Sequence, residues 1–188
     1  AALCRGDLLL TAGGDGRSLI FDAQSGAPRG ALLNQDDATI GVACDRAGTR
    51  AATVGMDGAV RVFELPSGRS LFTLRGHEGA VRPVAFSADG TLLVSGGADR
   101  TVRVWDARGG RSMLTLRGHE GTVRSVAFSA DGARVLSASA DGSARLWRVD
   151  RDGLWALGCA QLRGVPGFGE PALQRPAREA LAACDAVR

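Results

Sequence analysis

The segment "TLRGHEGAVRPVAFSADG", from Thr73 to Gly90, returns almost unchanged as "TLRGHEGTVRSVAFSADG", from Thr115 to Gly132. The two copies lie 42 residues apart and differ at only two positions. A similarity of this kind indicates an internal repeat, and a period between roughly 20 and 50 residues is typical of solenoids, propellers and arrays. The sequence therefore predicts a fold assembled from one repeated unit of 42 residues.

The 42-residue period extends through most of the chain. An Asp recurs at this spacing, with a Ser or Thr four residues before it and an aromatic residue six residues after it. The Asp residues are Asp15, Asp57, Asp99 and Asp141. The hydroxyl residues are Thr11, Thr53, Ser95 and Ser137. The aromatic residues are Phe21, Phe63, Trp105 and Trp147. Four units are therefore present, and the first is entered partway through.

Within a unit, the apolar residues follow the period of β-strands. In "TVRVW", from Thr101 to Trp105, Val alternates with Arg, which is typical of a strand with one buried face. The Asp57-Gly58 and Asp141-Gly142 pairs are strong signals for tight hairpin turns. No segment between Asp7 and Val149 shows a convincing helical period. Each unit is therefore predicted to form four short antiparallel strands.

Two Gly-His pairs give these units a more specific character. Gly76-His77 and Gly118-His119 each precede a four-strand unit, and one of these units closes with Trp105-Asp106. Together with the period, these features resemble the WD-repeat β-propeller family, in the form of a bacterial repeat array. The second unit departs from the pattern, since Asn34-Gln35 stand in place of Gly-His. The resemblance implies an all-β fold, a propeller segment of four WD-like blades.

The repeat also predicts the domain boundaries. Residues 1–162 are expected to form the blades, at approximately 1–36, 37–78, 79–120 and 121–162. Beyond them, a turn-rich segment with three prolines precedes "AREALAACDAVR", whose apolar residues recur at helical spacing. Pro176 suits the start of a helix there. We therefore expect residues 163–188 to form a Pro/Gly-rich turn segment and a short C-terminal helix.

The resemblance implies a structural role for the recurring polar residues. In each complete blade the Asp carboxylate would accept an imidazole N–H, and the Ser oxygen would donate to the other ring nitrogen while accepting the indole N–H. The network residues of the complete units are His77, Ser95, Asp99, Trp105, His119, Ser137, Asp141 and Trp147. The corresponding residues of the first two units are Thr11, Asp15, Thr53 and Asp57. Because the second unit lacks the His and the indole, we expect it to be less tightly held.

Ser, His and Asp in one network also raise the alternative of a hydrolase. Catalytic triads are recognised by the roles and geometry of their residues, not by residue type alone. Here the combination occurs twice at the same spacing, whereas an enzyme needs one nucleophile in one pocket. His77 and His119 are also the only histidines of the chain, so none remains for catalysis. We therefore predict no enzymatic activity and no catalytic residue.

Composition argues against several classes of site. The net charge is only +3, and acidic residues are interleaved with the arginines, so no basic stripe for nucleic acid is present. No stretch approaches the roughly 20 apolar residues of a membrane-spanning helix. The four cysteines lie far apart, which argues against a zinc cage and fits unpaired thiols in a reducing cytosol. We therefore expect a cytoplasmic protein without metal, cofactor or membrane association.

The resemblance also implies a partner-binding face. In this family, the residues flanking the Val after the Gly-His loop, and the residue before each turn Asp, lie on the top face around the channel. In the third and fourth units these residues are Ala80, Arg82, Ala98, Thr122, Arg124 and Ala140. The second unit offers Ala38, Ile40 and Met56. Two arginines beside an apolar patch predict a site for an acidic or mixed acidic–apolar peptide. The alternative is that Arg82 and Arg124 only form salt bridges to nearby carboxylates.

The function implied by the resemblance is that of a non-catalytic scaffold or sensor module, part of a larger signalling protein, which binds a protein or peptide. An alternative is a binder of RNA or another anionic ligand through arginines, prompted by the pI of 9.0, although aromatic residues for base stacking are scarce. We also expect an open arc of blades, completed by missing sequence or by self-association, because ring closure removes exposed sheet edges.

Overall fold

The computed structural model describes residues 1–32 and 38–149, which form fifteen β-strands and, within these ranges, no helix. The strands are β1 Ala2–Cys4, β2 Leu8–Ala12, β3 Ser18–Asp22, β4 Pro28–Leu32, β5 Thr39–Cys44, β6 Arg50–Gly55, β7 Val60–Glu64, β8 Ser70–Leu74, β9 Val81–Phe86, β10 Leu92–Gly97, β11 Val102–Asp106, β12 Ser112–Leu116, β13 Val123–Phe128, β14 Arg134–Ser139 and β15 Ala144–Arg148.

The strands form four antiparallel sheets, in which each strand pairs with its neighbours in the sequence. We call these sheets blade 1 (β1–β4), blade 2 (β5–β8), blade 3 (β9–β12) and blade 4 (β13–β15). The predicted all-β fold of four antiparallel blades is confirmed, and three strands of blade 4 belong to the described part of the chain.

The chain divides into two compact units, Ala1–Trp147 and Arg148–Arg188. The blades lie in the first unit, apart from Arg148, the last residue of β15. The C-terminal helix predicted from the sequence falls outside the described residues, and the predicted domain boundaries stay a prediction.

The strands form because their apolar residues alternate with polar ones. On β11, Val102 and Val104 point to one face and are fully buried, while Arg103 and Trp105 point to the other face. The predicted Asp57-Gly58 and Asp141-Gly142 pairs lie in hairpin turns, and Gly58 adopts the positive φ of 76° that such turns favour.

Successive blades pack face to face. We call the face of a blade that contacts the following blade its leading face, and the face that contacts the preceding blade its trailing face. Leu10 and Ile20, on the leading face of blade 1, pack against Ala51, Phe63 and Leu65 on the trailing face of blade 2. At the next junction the leading residues include Ala52, Val54, Val60 and Val62, and the trailing residues include Leu93, Trp105 and Ala107. The apolar core of the protein is thus divided among the junctions between blades.

The innermost strands β1, β5, β9 and β13 lie side by side in chain order. Gly41 on β5 permits the close approach of β9, because a Cβ at this position would collide with the backbone carbonyl of Arg82. A side chain at Gly41 would therefore force blades 2 and 3 apart.

Blades 1 and 2 are joined covalently. Cys4 on β1 and Cys44 on β5 form a disulfide bond, with their Cα atoms 5.7 Å apart. The expectation of four unpaired thiols is therefore wrong for these two residues, because the packing of β1 beside β5 brings together cysteines that are 40 positions apart in the sequence. Cys159 and Cys184 lie outside the described residues.

Blades 2 and 3 are joined by an arginine at the edge opposite to the Gly-His loops. Arg50 Nη1 donates to the carbonyl oxygen of Ala107 at 2.6 Å, and Nη2 donates to that of Gly90 at 2.6 Å. Its Nε donates to Asp45 at 3.1 Å, which fixes the direction of the side chain. One guanidinium group thus bonds to both blades at once, using the planar fork of donors that distinguishes Arg from Lys.

Candidate functional site

A buried chain of polar side chains crosses blade 3. His77, in the loop between β8 and β9, places Nδ1 3.0 Å from the Asp99 carboxylate and Nε2 2.8 Å from Ser95 Oγ. Trp105 Nε1 donates to the same Ser95 oxygen at 2.8 Å. The backbone N–H of Glu78 donates to Asp99 at 3.1 Å. The structure therefore brings together all four residues that the resemblance implied for this blade.

The directions of these hydrogen bonds favour a neutral His77. Since Ser95 Oγ accepts the indole N–H of Trp105, its own proton is free to donate to His77 Nε2, which leaves Nδ1–H to donate to Asp99. Burial lowers the pKa of His77 and outweighs the attraction of Asp99. Burial by itself would raise the pKa of Asp99, but His77 and the hydrogen-bond donors outweigh it and hold that pKa below its usual range.

Blade 4 repeats the arrangement. His119 Nδ1 lies 3.1 Å from Asp141, and Nε2 lies 2.8 Å from Ser137 Oγ. Trp147 Nε1 donates to the same oxygen at 2.8 Å. The hydroxyl of Ser143, which donates to Asp141 at 2.7 Å, is the main reason that the pKa of Asp141 is held well below its usual range.

One hydroxyl in each network was not predicted from the sequence. Thr101 Oγ1 donates to Asp99 at 2.8 Å, and Ser143 occupies the same place in blade 4. Both residues lie two positions after the turn Asp. A hydroxyl residue at this shared spacing was the signal that would have identified them.

In blade 2 an arginine donates to the turn Asp. Arg61 Nη2 donates to Asp57 at 2.6 Å, and the backbone N–H of Ala59 donates to the same carboxylate at 3.1 Å. Thr53, at the position of Ser95, is buried in the blade. The prediction that Asp57 lies in a structural turn agrees with these contacts, but its ion pair with Arg61 was not predicted.

In blade 1 the corresponding residues make fewer contacts. Asp15 accepts the backbone N–H of Arg17 at 3.1 Å across an exposed turn. Thr11 lies on β2 and is half-buried. The Asp15 turn therefore closes a hairpin.

The glycine of the Gly-His pair is required by geometry. Gly76 has a φ of 155°, a conformation that side chains rarely adopt. A Cβ there would lie 2.8 Å from Nη1 of Arg103, whose guanidinium carbon lies 5.9 Å from the centre of the Trp105 ring. The glycine therefore makes room for an arginine that packs over the network tryptophan.

The serine in this network is inaccessible, although Ser95, His77 and Asp99 have the connectivity of a hydrolase triad. Ser95 has no exposed surface, and Ser137 is 1% exposed. A nucleophilic oxygen must reach a substrate carbonyl carbon, and each of these oxygens is enclosed by an imidazole and an indole N–H. The buried serines therefore offer no site for acyl transfer.

The neutral state of His77 gives the protein a pH-dependent stability. In the unfolded chain the pKa of a histidine is about 6.5, whereas burial lowers the pKa of His77 in the folded protein. Below about pH 6.5 the unfolded chain therefore binds a proton at this histidine more readily than the folded protein does. The free energy of unfolding consequently falls as the pH falls below about 6.5.

We expect urea denaturation to show a lower free energy of unfolding at about pH 5.5 than at about pH 7.5. His77→Gln should make this difference smaller, because it removes the titrating imidazole beside Asp99 and Arg103. An unchanged pH dependence in His77→Gln would contradict the neutral state assigned to His77.

The residues predicted to bind a partner lie at the same edge of the blades as the Gly-His loops. The backbone N–H of Ala98 donates to the carbonyl of Ala80 at 2.8 Å, and Ala140 donates to Thr122 at 2.8 Å. In blade 2 the N–H of Met56 donates to Ala38 at 3.1 Å. In blades 2, 3 and 4 the structure therefore pairs the residue before the turn Asp with a residue of the loop leading to the innermost strand.

The two arginines of this face are free of ion pairs within the described ranges. Arg82 and Arg124 are exposed on β9 and β13, which are neighbouring innermost strands. Within residues 1–32 and 38–149, neither guanidinium group lies within 4.0 Å of a carboxylate. Beside them, Met56 is 47% exposed and Ile40 is half-buried. We define the upper face as these four residues together with Ala38, Ala80, Ala98, Thr122 and Ala140.

Other kinds of site find no support in the described part of the chain. It holds no group of three or more His, Cys, Asp or Glu side chains placed to bind a metal ion. It also contains no helix able to cross a membrane.

Comparison with known proteins identifies a family for two segments of the chain. A family model described as "WD domain, G-beta repeat" matches residues 68–106 and 110–148. These two segments are WD40 repeats. Residues 68–106 contain β8 to β11 and residues 110–148 contain β12 to β15, so each WD40 repeat joins the outer strand of one blade to three strands of the next. The resemblance to the WD-repeat family is thus confirmed, and no match was found among curated proteins.

Proposed function

We propose that the chain is a non-catalytic interaction module whose upper face binds an acidic or mixed acidic–apolar peptide segment of a protein partner. WD40 repeats generally act as scaffolds for protein–protein interaction. The peptide class rests on one observation, the exposed guanidinium groups of Arg82 and Arg124 without a carboxylate partner in the described residues.

The chemistry of the upper face suits a peptide that combines both kinds of side chain. A guanidinium group presents a planar fork of donors that pairs with a carboxylate through two hydrogen bonds. Met56 offers a flexible apolar surface that adapts to irregular partners. The small side chains of Ala80 and Ala98 leave the arginines accessible from above. A strand or loop carrying Glu or Asp next to Leu or Ile would meet both features.

A ligand with phosphate groups is the second candidate, because phosphate also pairs with the arginine fork. RNA recognition by such a surface depends on aromatic side chains that stack on the bases. Phe, Tyr and Trp are absent from the nine residues of the upper face. We therefore favour the peptide, and binding of a phosphate-bearing polymer is a distinguishable outcome of the same experiment.

We further propose that the module belongs to a larger signalling protein in the cytoplasm. The family resemblance supports this context. The Cys4–Cys44 disulfide weighs against the cytoplasmic part, since disulfides persist mainly in oxidising compartments. Cell fractionation with a reporter fused to the chain tests it, and recovery of the fusion outside the cytoplasm would contradict it.

The peptide proposal is tested with a fluorescein-labelled peptide of alternating Glu and Leu, titrated with the protein and followed by fluorescence anisotropy. Replacement of both Arg82 and Arg124 by Glu should weaken binding by at least about tenfold. The melting curve should remain nearly unchanged, because both side chains are exposed and lie outside the buried networks.

The control variant carries Arg108→Glu and Arg111→Glu, which change the net charge equally at exposed positions away from the upper face. It should bind the Glu–Leu peptide as the wild-type protein does. Equal weakening in both variants would show a nonspecific effect of charge, and tighter binding of an oligouridine than of the peptide would favour the phosphate ligand.

A further inference from the structure

A cleft opens between blades 1 and 2 at the edge opposite to the Gly-His loops, which we call the lower edge. Its volume is about 520 Å³, within the range of roughly 300–1,000 Å³ that is typical of small-molecule sites. Leu8 and Arg29 line it from blade 1, and Gly48 and Pro66 line it from blade 2. Leu8 also packs against the apolar cluster between these blades, so both walls of the cleft belong to described sheets.

A side chain spans the corresponding space at the junction of blades 2 and 3. The period of 42 relates Leu8 to Arg50, whose guanidinium group bonds to the carbonyl oxygens of Gly90 and Ala107. The backbone that receives it is similar in both junctions, since Gly48 has a φ of 72° and its counterpart Gly90 has a φ of 68°. Leucine is shorter than arginine and has no donor to offer these carbonyls. The cleft therefore lies where the first blade carries leucine in place of the bridging arginine.

Two arginines at the cleft depart from the repeat. Arg5 lines the cleft from the turn between β1 and β2, and its counterparts in the next two blades are Ala47 and Asp89. The counterpart of Arg29 is Leu71, which packs against the apolar cluster between blades 2 and 3. Blades of this fold thus form without a cation at either position. The two positive charges are a feature of this cleft and not of the repeat.

Both arginines retain N–H groups for a ligand. Arg5 is exposed, and within residues 1–32 and 38–149 its side chain forms no hydrogen bond or ion pair. Arg29 donates to Asp22 through Nη2 at 2.5 Å, and its side chain is 59% exposed. A guanidinium group carries several further N–H donors, which this single bond leaves available. Among the described residues, no Asp or Glu lines the cleft itself.

These charges decide which kind of ligand the cleft accepts. The backbone carbonyls that bind Arg50 at the next junction would suit a cation, but Arg5 and Arg29 would repel it at this one. A carboxylate instead pairs with a guanidinium group through two hydrogen bonds. Half-buried Leu8 and exposed Pro66 offer apolar surface beside the arginines. A ligand with an anionic head and an apolar body would therefore meet both parts of the lining.

We propose that the cleft between the lower edges of blades 1 and 2 binds a small amphipathic carboxylate. Arg5 and Arg29 bind its head, and Leu8 and Pro66 contact its apolar body. The cleft and the upper face lie at opposite edges of the blades, so this site does not depend on the proposed function.

The probe is hexanoate, titrated into the isotope-labelled full chain and followed by the backbone amide signals in NMR spectra. The amides of Gly6 and Gly48, which both line the cleft, should shift and reach saturation. Acetate supplies the carboxylate without the apolar body, and 1-hexanol supplies a body of the same length without the charge. Each should bind at least about tenfold more weakly than hexanoate, because each meets only one part of the lining.

A pair of substitutions tests the arginines. Arg5→Gln combined with Arg29→Gln should weaken hexanoate binding by at least about tenfold. The matched control combines Arg108→Gln with Arg111→Gln, which changes the net charge equally at exposed positions of blade 3. This control should bind hexanoate as the wild-type protein does. Equal weakening in both double variants would show a nonspecific effect of charge and would overturn the proposal.

A second substitution tests the cleft without changing any charge. Ala47 is exposed and lines the cleft, so Ala47→Phe should fill the space and abolish the shifts at Gly6 and Gly48. The control is Ala130→Phe, at an exposed position in the corresponding turn of blade 4. Circular dichroism melting curves show that each variant is folded. A folded Ala47→Phe variant that binds hexanoate as the wild-type protein does would exclude the cleft as the site.

Three further results would overturn the proposal. Absence of saturable shifts with hexanoate would show that the cleft does not take an amphipathic carboxylate. Tighter binding of inorganic phosphate than of hexanoate would assign the arginines to a phosphate group instead. Shifts at Ala80 and Ala98 without shifts at Gly6 and Gly48 would place the carboxylate at the upper face.

Discussion

Replacing Trp105 by alanine should lower the free energy of unfolding by about 3–5 kcal/mol. The side chain is only 1% exposed and belongs to the apolar cluster between blades 2 and 3. The change opens a cavity beside Leu93, and it also removes the indole donor of Ser95. Denaturation in urea, monitored by far-UV circular dichroism, measures this loss.

Two comparisons identify the source of the effect. Trp147→Ala should be less destabilising, because Trp147 is only half-buried, whereas Trp105 is almost completely buried. Trp105→Phe keeps most of the buried ring but loses the hydrogen bond to Ser95, so it should have a smaller effect, in the range of about 0.5–1.5 kcal/mol. If Trp147→Ala were as destabilising as Trp105→Ala, the fuller burial of Trp105 would not be the cause.

The blade architecture was predictable because its signals are local and recur. Alternation in "TVRVW" and Asp-Gly turns such as Asp89-Gly90 are both readable within a few residues, and the same pattern returns 42 residues later. Repetition also removes the ambiguity of short apolar runs, since one assignment must fit every unit. The strand order of each sheet follows directly from tight hairpins, which join neighbouring strands.

The contacts between blades were not predictable in the same way. The Cys4–Cys44 bond and the bonds of Arg50 to Gly90 and Ala107 join residues that occur at different places in their units. Arg50 has no counterpart in the third unit, where Leu92 occupies its position. Such contacts depend on how one blade is turned against the next, and the period carries no information about that angle.

The candidate site was predictable in part. The resemblance gave the positions of the upper face, and the sequence left open whether Arg82 and Arg124 pair with carboxylates. The answer depends on the distances between residues of different strands. Two acidic residues, Glu78 and Asp99, lie near these strands. Asp99 accepts hydrogen bonds from His77 and from backbone N–H groups. Glu78 forms no ion pair within the described ranges.

Replacing Asp99 by alanine should lower the free energy of unfolding by about 1–3 kcal/mol. Asp99 accepts hydrogen bonds from His77, from Glu78 N–H and from both the N–H and the hydroxyl of Thr101. Removing the carboxylate leaves these donors without an acceptor at a position where the Asp99 side chain is only 9% exposed. A buried donor without an acceptor loses the hydration that it would have in the unfolded chain. This lost hydration lowers the free energy of unfolding.

Asp57→Ala in blade 2 is the matched comparison and should be less destabilising. Asp57 accepts from Arg61 and from Ala59 N–H, and its side chain is 23% exposed. Water therefore reaches the Asp57 turn more readily than the Asp99 turn. It replaces some of the hydrogen bonds that the donors lose when the carboxylate is removed. Urea denaturation of the two variants, measured side by side above pH 7, keeps His77 neutral in both. Equal destabilisation would mean that the imidazole and the buried Thr101 hydroxyl add nothing to the hairpin turn, and the role of the network in holding blade 3 together would then be lost.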